Sequence, residues 1–195
     1  MSEQKSLRGT KTETNLAIAY VAESCAVTRY TFFADAAQKE NYFQYANIFR
    51  ETAANELRHA KIYLRYLTEG NCVAPNIGVD AGIIGKTVDN LAVAAHEEEV
   101  EGVELYTNAA KVADDEGFTE IAERFRAIAT IENHHKNRFE TMRRRIEDGS
   151  VWKSDKPILW QCQVCGYIYE GTTPPEKCPA CYHPYQHFMR AEENY

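Results

Sequence analysis

Two stretches of this chain copy one another, and each copy carries a carboxylate and an imidazole three residues apart. Glu56-Leu-Arg-His59 and Glu132-Asn-His-His135 lie 76 residues from each other. At that offset Tyr30/Tyr106, Ala34/Ala110, Ala37/Ala113, Glu40/Glu116, Phe49/Phe125 and Ala53/Ala129 are also identical pairs. Further upstream the offset is 75, with Asn15/Asn90, Leu16/Leu91, Ala19/Ala94 and Glu23/Glu98. Such self-similarity makes each copy one supersecondary unit that buries its apolar face against the other. The slip from 75 to 76 places one extra residue between Glu98 and Tyr106. A helix that keeps both ends in register absorbs an insertion as a π-bulge, so a π turn is predicted there.

Apolar spacings of three and four predict helices over residues 12 to about 147. The first starts at Thr10-Lys11-Thr12-Glu13, a capping-box pattern, and turns Leu16, Ala19, Glu23, Val27 and Tyr30 inward. The second covers about 42–68 and stops at Glu69-Gly70-Asn71. Residues 70–86, with Pro75, Gly78, Gly82 and Gly85, break the pattern and are long for a connection inside a bundle. The third helix runs from about Thr87 to Asp114, and the fourth ends at Asp148-Gly149. A long crossover between helices two and three marks the ferritin-like topology. The predicted fold is thus an all-α four-helix bundle of that type, over residues 1–148. Residues 149–157 read as a linker. Residues 158–195 read as a small irregular or β unit, too short for a packed core and needing a metal to fold.

Glu23, Glu56, Glu98 and Glu132 fall on otherwise apolar faces, where an uncompensated carboxylate is costly. Single Glu-x-x-His matches are mostly solvated helix residues. That reading fails where the carboxylates share the core stripe and recur in both halves. Four Glu and two His projecting into a bundle form a carboxylate-bridged di-metal site. Glu56 and Glu132 are expected to bridge, with Glu23, His59, Glu98 and His135 terminal. This donor set suits iron or manganese. Tyr30 and Tyr106 recur and can donate to ligand carboxylates; plain aromatic packing is the alternative. Glu101, beside the insertion, has no counterpart and would make the two metal positions unequal. Its neighbours Glu97 and Glu99 read as solvated charges.

Cys162-x-x-Cys165 and Cys178-x-x-Cys181 form a tetrahedral thiolate site. Zinc would make it structural, whereas a lone iron would make it a one-electron carrier. Trp160, Tyr167, Tyr169, Tyr185 and Phe188 are expected to surround it, and His183 and His187 to pack rather than ligate. Cys25 and Cys72 read as small buried residues. The cysteine usage favours a reducing, cytoplasmic setting. A net charge of −7 over 195 residues argues against nucleic acid or an anionic membrane as partner. The N-terminus shows no secretory h-region, and no apolar run is long enough to span a bilayer.

The chain resembles the rubrerythrins. The residues that carry the likeness are Ala22-Glu23-Ser24 with Arg29-Tyr30, Glu56-x-x-His59-Ala60-Lys61, Glu98-x-x-Glu101-x-x-Glu104-x-Tyr106, Glu132-x-x-His135, and the tail Cys162-x-x-Cys165-Gly166-Tyr167 with Cys178-Pro179-x-Cys181. The resemblance implies a non-haem iron peroxidase that reduces hydrogen peroxide at a di-iron centre. It implies a rubredoxin-type iron at the four cysteines, which zinc can replace in recombinant protein. It implies rubredoxin or an NAD(P)H-dependent reductase as electron donor, and a homodimer paired head to tail. It also implies an exchange at one iron, bound by Glu101 when oxidised and by His59 when reduced. The alternatives are a ferroxidase or iron-handling protein, and a binding module with a structural zinc ribbon.

Overall fold

The computed structural model describes residues 5–67 and 83–191. Helix α1 spans Lys11–Lys39, α2 Phe43–Tyr66, α3 Thr87–Glu97, α4 Leu105–Asp115 and α5 Thr119–Glu147. A π-helical stretch, Glu98–Glu104, joins α3 to α4 without a break, so the three pieces form one rod. Its last turn is read from Leu105, whose N–H reaches the Val100 carbonyl five residues back. The π turn predicted from the offset slip is therefore present. α1 packs along α2 and the α3–π–α4 rod along α5, giving a four-helix bundle. α2 ends at Tyr66; Glu69-Gly70-Asn71, Cys72 and most of the predicted crossover lie outside the described residues. Among the described residues no helix is long and apolar enough to cross a membrane.

The duplication explains how the helix ends are satisfied. The α1–α2 turn needs a left-handed residue and uses Asn41 (φ 64°); the α4–α5 turn uses Gly117 (φ 78°) at the 76-residue offset. Glu40 and Glu116, identical in the repeat, reach across to the other half. The Glu116 carboxylate accepts from Thr12 N (2.9 Å), Lys11 N (3.1 Å) and Thr12 Oγ1 (2.7 Å), capping α1. The Glu40 carboxylate accepts from Thr87 N at 2.9 Å, capping α3. Acceptors at helix N-termini satisfy orphan N–H groups and complement the helix dipole. Thr10 Oγ1 accepts from Glu13 N as predicted, but the Glu13 carboxylate accepts from Gly9 N rather than closing back on Thr10.

The interior divides into two apolar clusters, and equivalent positions of the repeat go to opposite ones. Tyr30, Ala34, Ala37, Phe49 and Ala53 stand in one, with Phe33 and Phe139. Tyr106, Ala110, Ala113, Phe125 and Ala129 stand in the other, with Leu16 and Tyr63.

Strands β1 (Ile158–Cys162), β2 (Ile168–Gly171) and β3 (Phe188–Arg190) form an antiparallel sheet in the order β2-β1-β3. The stretch before it is packed, not loose. Val151 is buried in the Tyr30–Phe49 cluster. Trp152 stacks on Tyr42 at 5.5 Å between ring centroids and donates Nε1–H to Phe188 O. His187 stacks on Phe43 at 4.0 Å, and Asn47 donates to Gln163 at 3.0 Å, so the sheet unit seats against the start of α2.

Candidate metal centres

The polar residues of the bundle gather into two overlapping groups. Glu23, Glu56, His59 and Glu132 form one; Glu56, Glu98, Glu132 and His135 form the other. Within each, one ligand-type atom from every residue lies within 4.8 Å of the rest. All six residues are buried. Glu56 and Glu132 belong to both groups.

The donor atoms converge in a way protein hydrogen bonds do not explain. His59 Nδ1 lies 2.8 Å from Glu56 Oε2 and 2.9 Å from Glu132 Oε1. Even so, His59 Nδ1, both Glu56 oxygens and Glu132 Oε1 are buried without a partner in hydrogen-bonding geometry among the described residues. Buried polar atoms aimed at one another without aligned bonds are costly. A cation between them removes that cost, so the residues present fit a metal pair.

The electrostatics carry the same signature. Burial pushes the Glu23 carboxyl up, and the neighbouring Glu132 and Glu56 add to this against the pull of His59; it stands at about 8. Burial likewise raises Glu98 well above the ordinary range. Burial favours neutral imidazoles, but the carboxylates around them prevail. His59, beside Glu132, Glu23 and Glu56, is pushed up to about 12, and His135, beside Glu132, Glu56 and Glu98, to about 11. Burial opposes ionisation of Glu132, yet His135 and His59 bring it down to about 2. Without a metal the two imidazoles are biased towards their charged form, and Glu23 and Glu98 towards the neutral one.

The surroundings fix these side chains. Tyr30 donates its hydroxyl to Glu98 Oε1 at 2.6 Å, and Tyr106 donates to Glu23 Oε1 at 2.7 Å. Each tyrosine thus supports a carboxylate of the opposite half. Asn55 Nδ2 lies 3.3 Å from His135 Nε2, which leaves Nδ1 facing the carboxylates. Gly102 lets the π stretch lie against α5, since a Cβ there would sit 2.5 Å from Glu132 Cβ.

Glu101 stands outside both groups. Its carboxylate lies 3.8 Å from Arg29 Nη1 and lines a small cavity that also touches Glu23, Glu56, Glu98 and Glu132. Glu97 corrects the sequence reading. It is buried and paired with Arg29 Nη1 at 3.2 Å, not solvated. Glu99 does face outward, paired with Lys136. The repeat held a signal for the Arg29–Glu97 pair: the counterpart of Glu97 is Ala22, and neither offset gives Arg29 a basic partner.

In the sheet unit the four cysteine sulfurs also lie within 4.8 Å of one another. Cys162 and Cys181 Sγ are 3.7 Å apart, and Cys165 and Cys178 Sγ 3.6 Å. A tetrahedron with metal–sulfur bonds of about 2.3 Å has edges of about 3.8 Å, so the sulfurs fit one ion. Each Cys-x-x-Cys loop ends on a left-handed residue, Gly166 (φ 78°) and Tyr182 (φ 61°). Trp160 and Phe188 are buried behind the cysteines with Tyr167 and Tyr169 beside them. Tyr185 is not in this shell; it packs edge-on against Trp152. His183 and His187 stay out of the sulfur group and pack on each other.

The family model of rubrerythrin matches residues 14–143 and again 89–157. The rubrerythrin rubredoxin-like domain matches residues 160–189. The chain belongs to the rubrerythrin family. Rubrerythrin-1 of Clostridium acetobutylicum is 45% identical over 194 residues, covering 98% of this chain and all of that one (100%). Rubrerythrin of Clostridium perfringens gives the same identity and coverage. The solved structure of fully reduced, all-ferrous nigerythrin is 29% identical with a TM-score of 0.63, covering 98% of this chain and 91% of that one. As a rubrerythrin, the chain carries a di-iron ferritin-like site among its Glu and His residues and a rubredoxin-like site at its four cysteines.

Proposed function

We propose that this rubrerythrin is a peroxidase, reducing hydrogen peroxide with two electrons and two protons to two molecules of water. Two irons held by shared carboxylates supply the two electrons at one place. Glu56 and Glu132, which belong to both groups, would hold both metals. Glu23 and His59 serve one position, Glu98 and His135 the other. Tyr30 and Tyr106 orient Glu98 and Glu23 through their hydroxyl bonds and present protons at the edge of the cavity. Glu101 would serve as a ligand in place of His59 in the oxidised form; its place on the cavity wall supports this. The two aromatic clusters exclude water on either side of the polar layer.

Electrons arrive through the four-cysteine iron, whose Cys165 is exposed, from rubredoxin or an NAD(P)H-dependent reductase. Residues 1–148 are the reducing unit, 149–157 the connection and 158–195 the electron-input unit. The protein works in the cytoplasm as a homodimer paired head to tail. The observation that carries the reading is the joint occurrence of a buried Glu/His two-metal cluster and a half-exposed thiolate site on one chain. The test is turnover with NAD(P)H, a rubredoxin reductase and peroxide. Cys162→Ser, Cys178→Ser should abolish turnover yet leave a pre-reduced bundle able to consume peroxide once. Undiminished turnover in that variant would overturn the assignment.

A further inference from the structure

The two Glu-x-x-His imidazoles are held alike on the side facing the carboxylates and differently on the side away from them. His59 Nδ1 lies 2.8 Å from Glu56 Oε2 and 2.9 Å from Glu132 Oε1. His135 Nδ1 lies 2.9 Å from Glu132 Oε2 and 3.2 Å from Glu56 Oε1. At the far nitrogen the likeness ends. Asn55 on α2 places its side-chain amide 3.3 Å from His135 Nε2. At the 76-residue offset the position of Asn55 is taken by Ile131 on α5, whose side chain has no hydrogen-bonding group and is 39% exposed. Among the described residues no hydrogen bond reaches His59 Nε2. The repeat thus builds one imidazole anchored from both sides of its ring and one anchored from a single side.

We propose that Asn55 is a positioning residue that fixes His135, and that Ile131, by leaving His59 Nε2 unheld, makes His59 the imidazole able to turn away. When Nδ1 is a metal ligand, the ring proton sits on Nε2. The two ends of the Asn55 amide change places by a half-turn, and the amide oxygen then accepts that proton. A hydrogen bond at the outer nitrogen sets the tautomer and ring orientation of a metal-ligating histidine. His59 has no such bond to break before its ring rotates. That His59 is the ligand that leaves rests on the exchange with Glu101 proposed above; the fixing of His135 does not.

Nuclear magnetic resonance of zinc-loaded protein carrying isotope-labelled histidine separates the two rings. A ring N–H held by a protein acceptor exchanges slowly with water and gives a proton signal. In the parent, His135 Nε2–H should exchange about tenfold more slowly than His59 Nε2–H, the order of one hydrogen bond. The repeat itself supplies the variants. Asn55→Ile removes the slow signal. Ile131→Asn gives His59 an acceptor and adds a second slow signal. Asn55→Asp keeps an acceptor and the first signal, so the two gains can be read even where Asn55→Ile does not fold. A side chain that merely supports the helix would change stability without changing which ring N–H is protected. That result, or equal exchange at the two rings of the parent, overturns the proposal. Reoxidation of the reduced, iron-loaded protein by peroxide tests the exchange separately. Ile131→Asn holds His59 in place and should slow reoxidation roughly tenfold. If His59 Nε2–H becomes protected and reoxidation is unchanged, the exchange with Glu101 fails and the fixing of His135 stands.

Discussion

Loading the bundle with a divalent metal should expel protons, in a number the site itself sets. A metal takes a neutral imidazole and an ionised carboxylate. In the metal-free cluster His59 stands at about 12, His135 at about 11 and Glu23 at about 8. At pH 7 both imidazoles are protonated, as is about nine-tenths of Glu23. Close to three protons therefore leave. Three protons make the overall loading constant climb about a thousandfold per pH unit, or about 4 kcal/mol. Above pH 8 Glu23 has already ionised, and the slope falls by about one proton. The metal-free protein shows the opposite trend. His59 and His135 are raised above their ordinary 6.5, so the stability they lend is full below that value and is lost as pH climbs towards 11–12. Glu23, raised from 4.5, withdraws its support between 4.5 and about 8. Glu132, depressed to about 2, acts the other way, and its contribution disappears only as pH falls from 4.5 towards 2. Cobalt(II) titrations from pH 6 to 9, with calorimetry in two buffers of different protonation heat, measure both slope and proton count. Loading that ignores pH, or releases no protons, would refute the electrostatic account of the site.

Tyr30→Phe and Tyr106→Phe each remove one hydroxyl bond to a terminal carboxylate and should weaken metal binding about tenfold or more; equal affinity in a cobalt titration would make these tyrosines simple packing. Glu116→Ala removes the carboxylate that caps α1 through two backbone N–H groups and the Thr12 hydroxyl, and should cost about 1–2 kcal/mol in denaturant unfolding. Glu40→Ala loses a single capping bond on α3 and should cost less; the reverse order would contradict the cross-capping. Cys178→Ser should unfold the sheet unit, seen as lost protection in hydrogen exchange, while the bundle stays folded.

Much of this architecture was legible in the chain because duplication wrote it twice. Recurrence of Glu-x-x-His with Tyr30/Tyr106 identified the polar layer, and one slipped residue located the π stretch at Glu98–Glu104. What stayed hidden depends on contacts between helices. Glu97 looked like one of several surface acids because its burial comes from Arg29 on α1, distant in sequence. The roles of Glu40 and Glu116 were hidden for the same reason: each caps the helix of the other half. Tyr185 was assigned to the cysteine shell from proximity in sequence, but the 3₁₀ turn at Tyr185–His187 turns it to Trp152. The position where the repeat fails, Ala22/Glu97, carried information that periodicity could not.

The most direct test is a single turnover. Protein loaded with iron at both sites and fully reduced is mixed, without oxygen, with one equivalent of hydrogen peroxide. The account predicts rapid oxidation of the di-iron site with two electrons removed per peroxide. A reduced, iron-loaded sample that peroxide leaves unoxidised would contradict it.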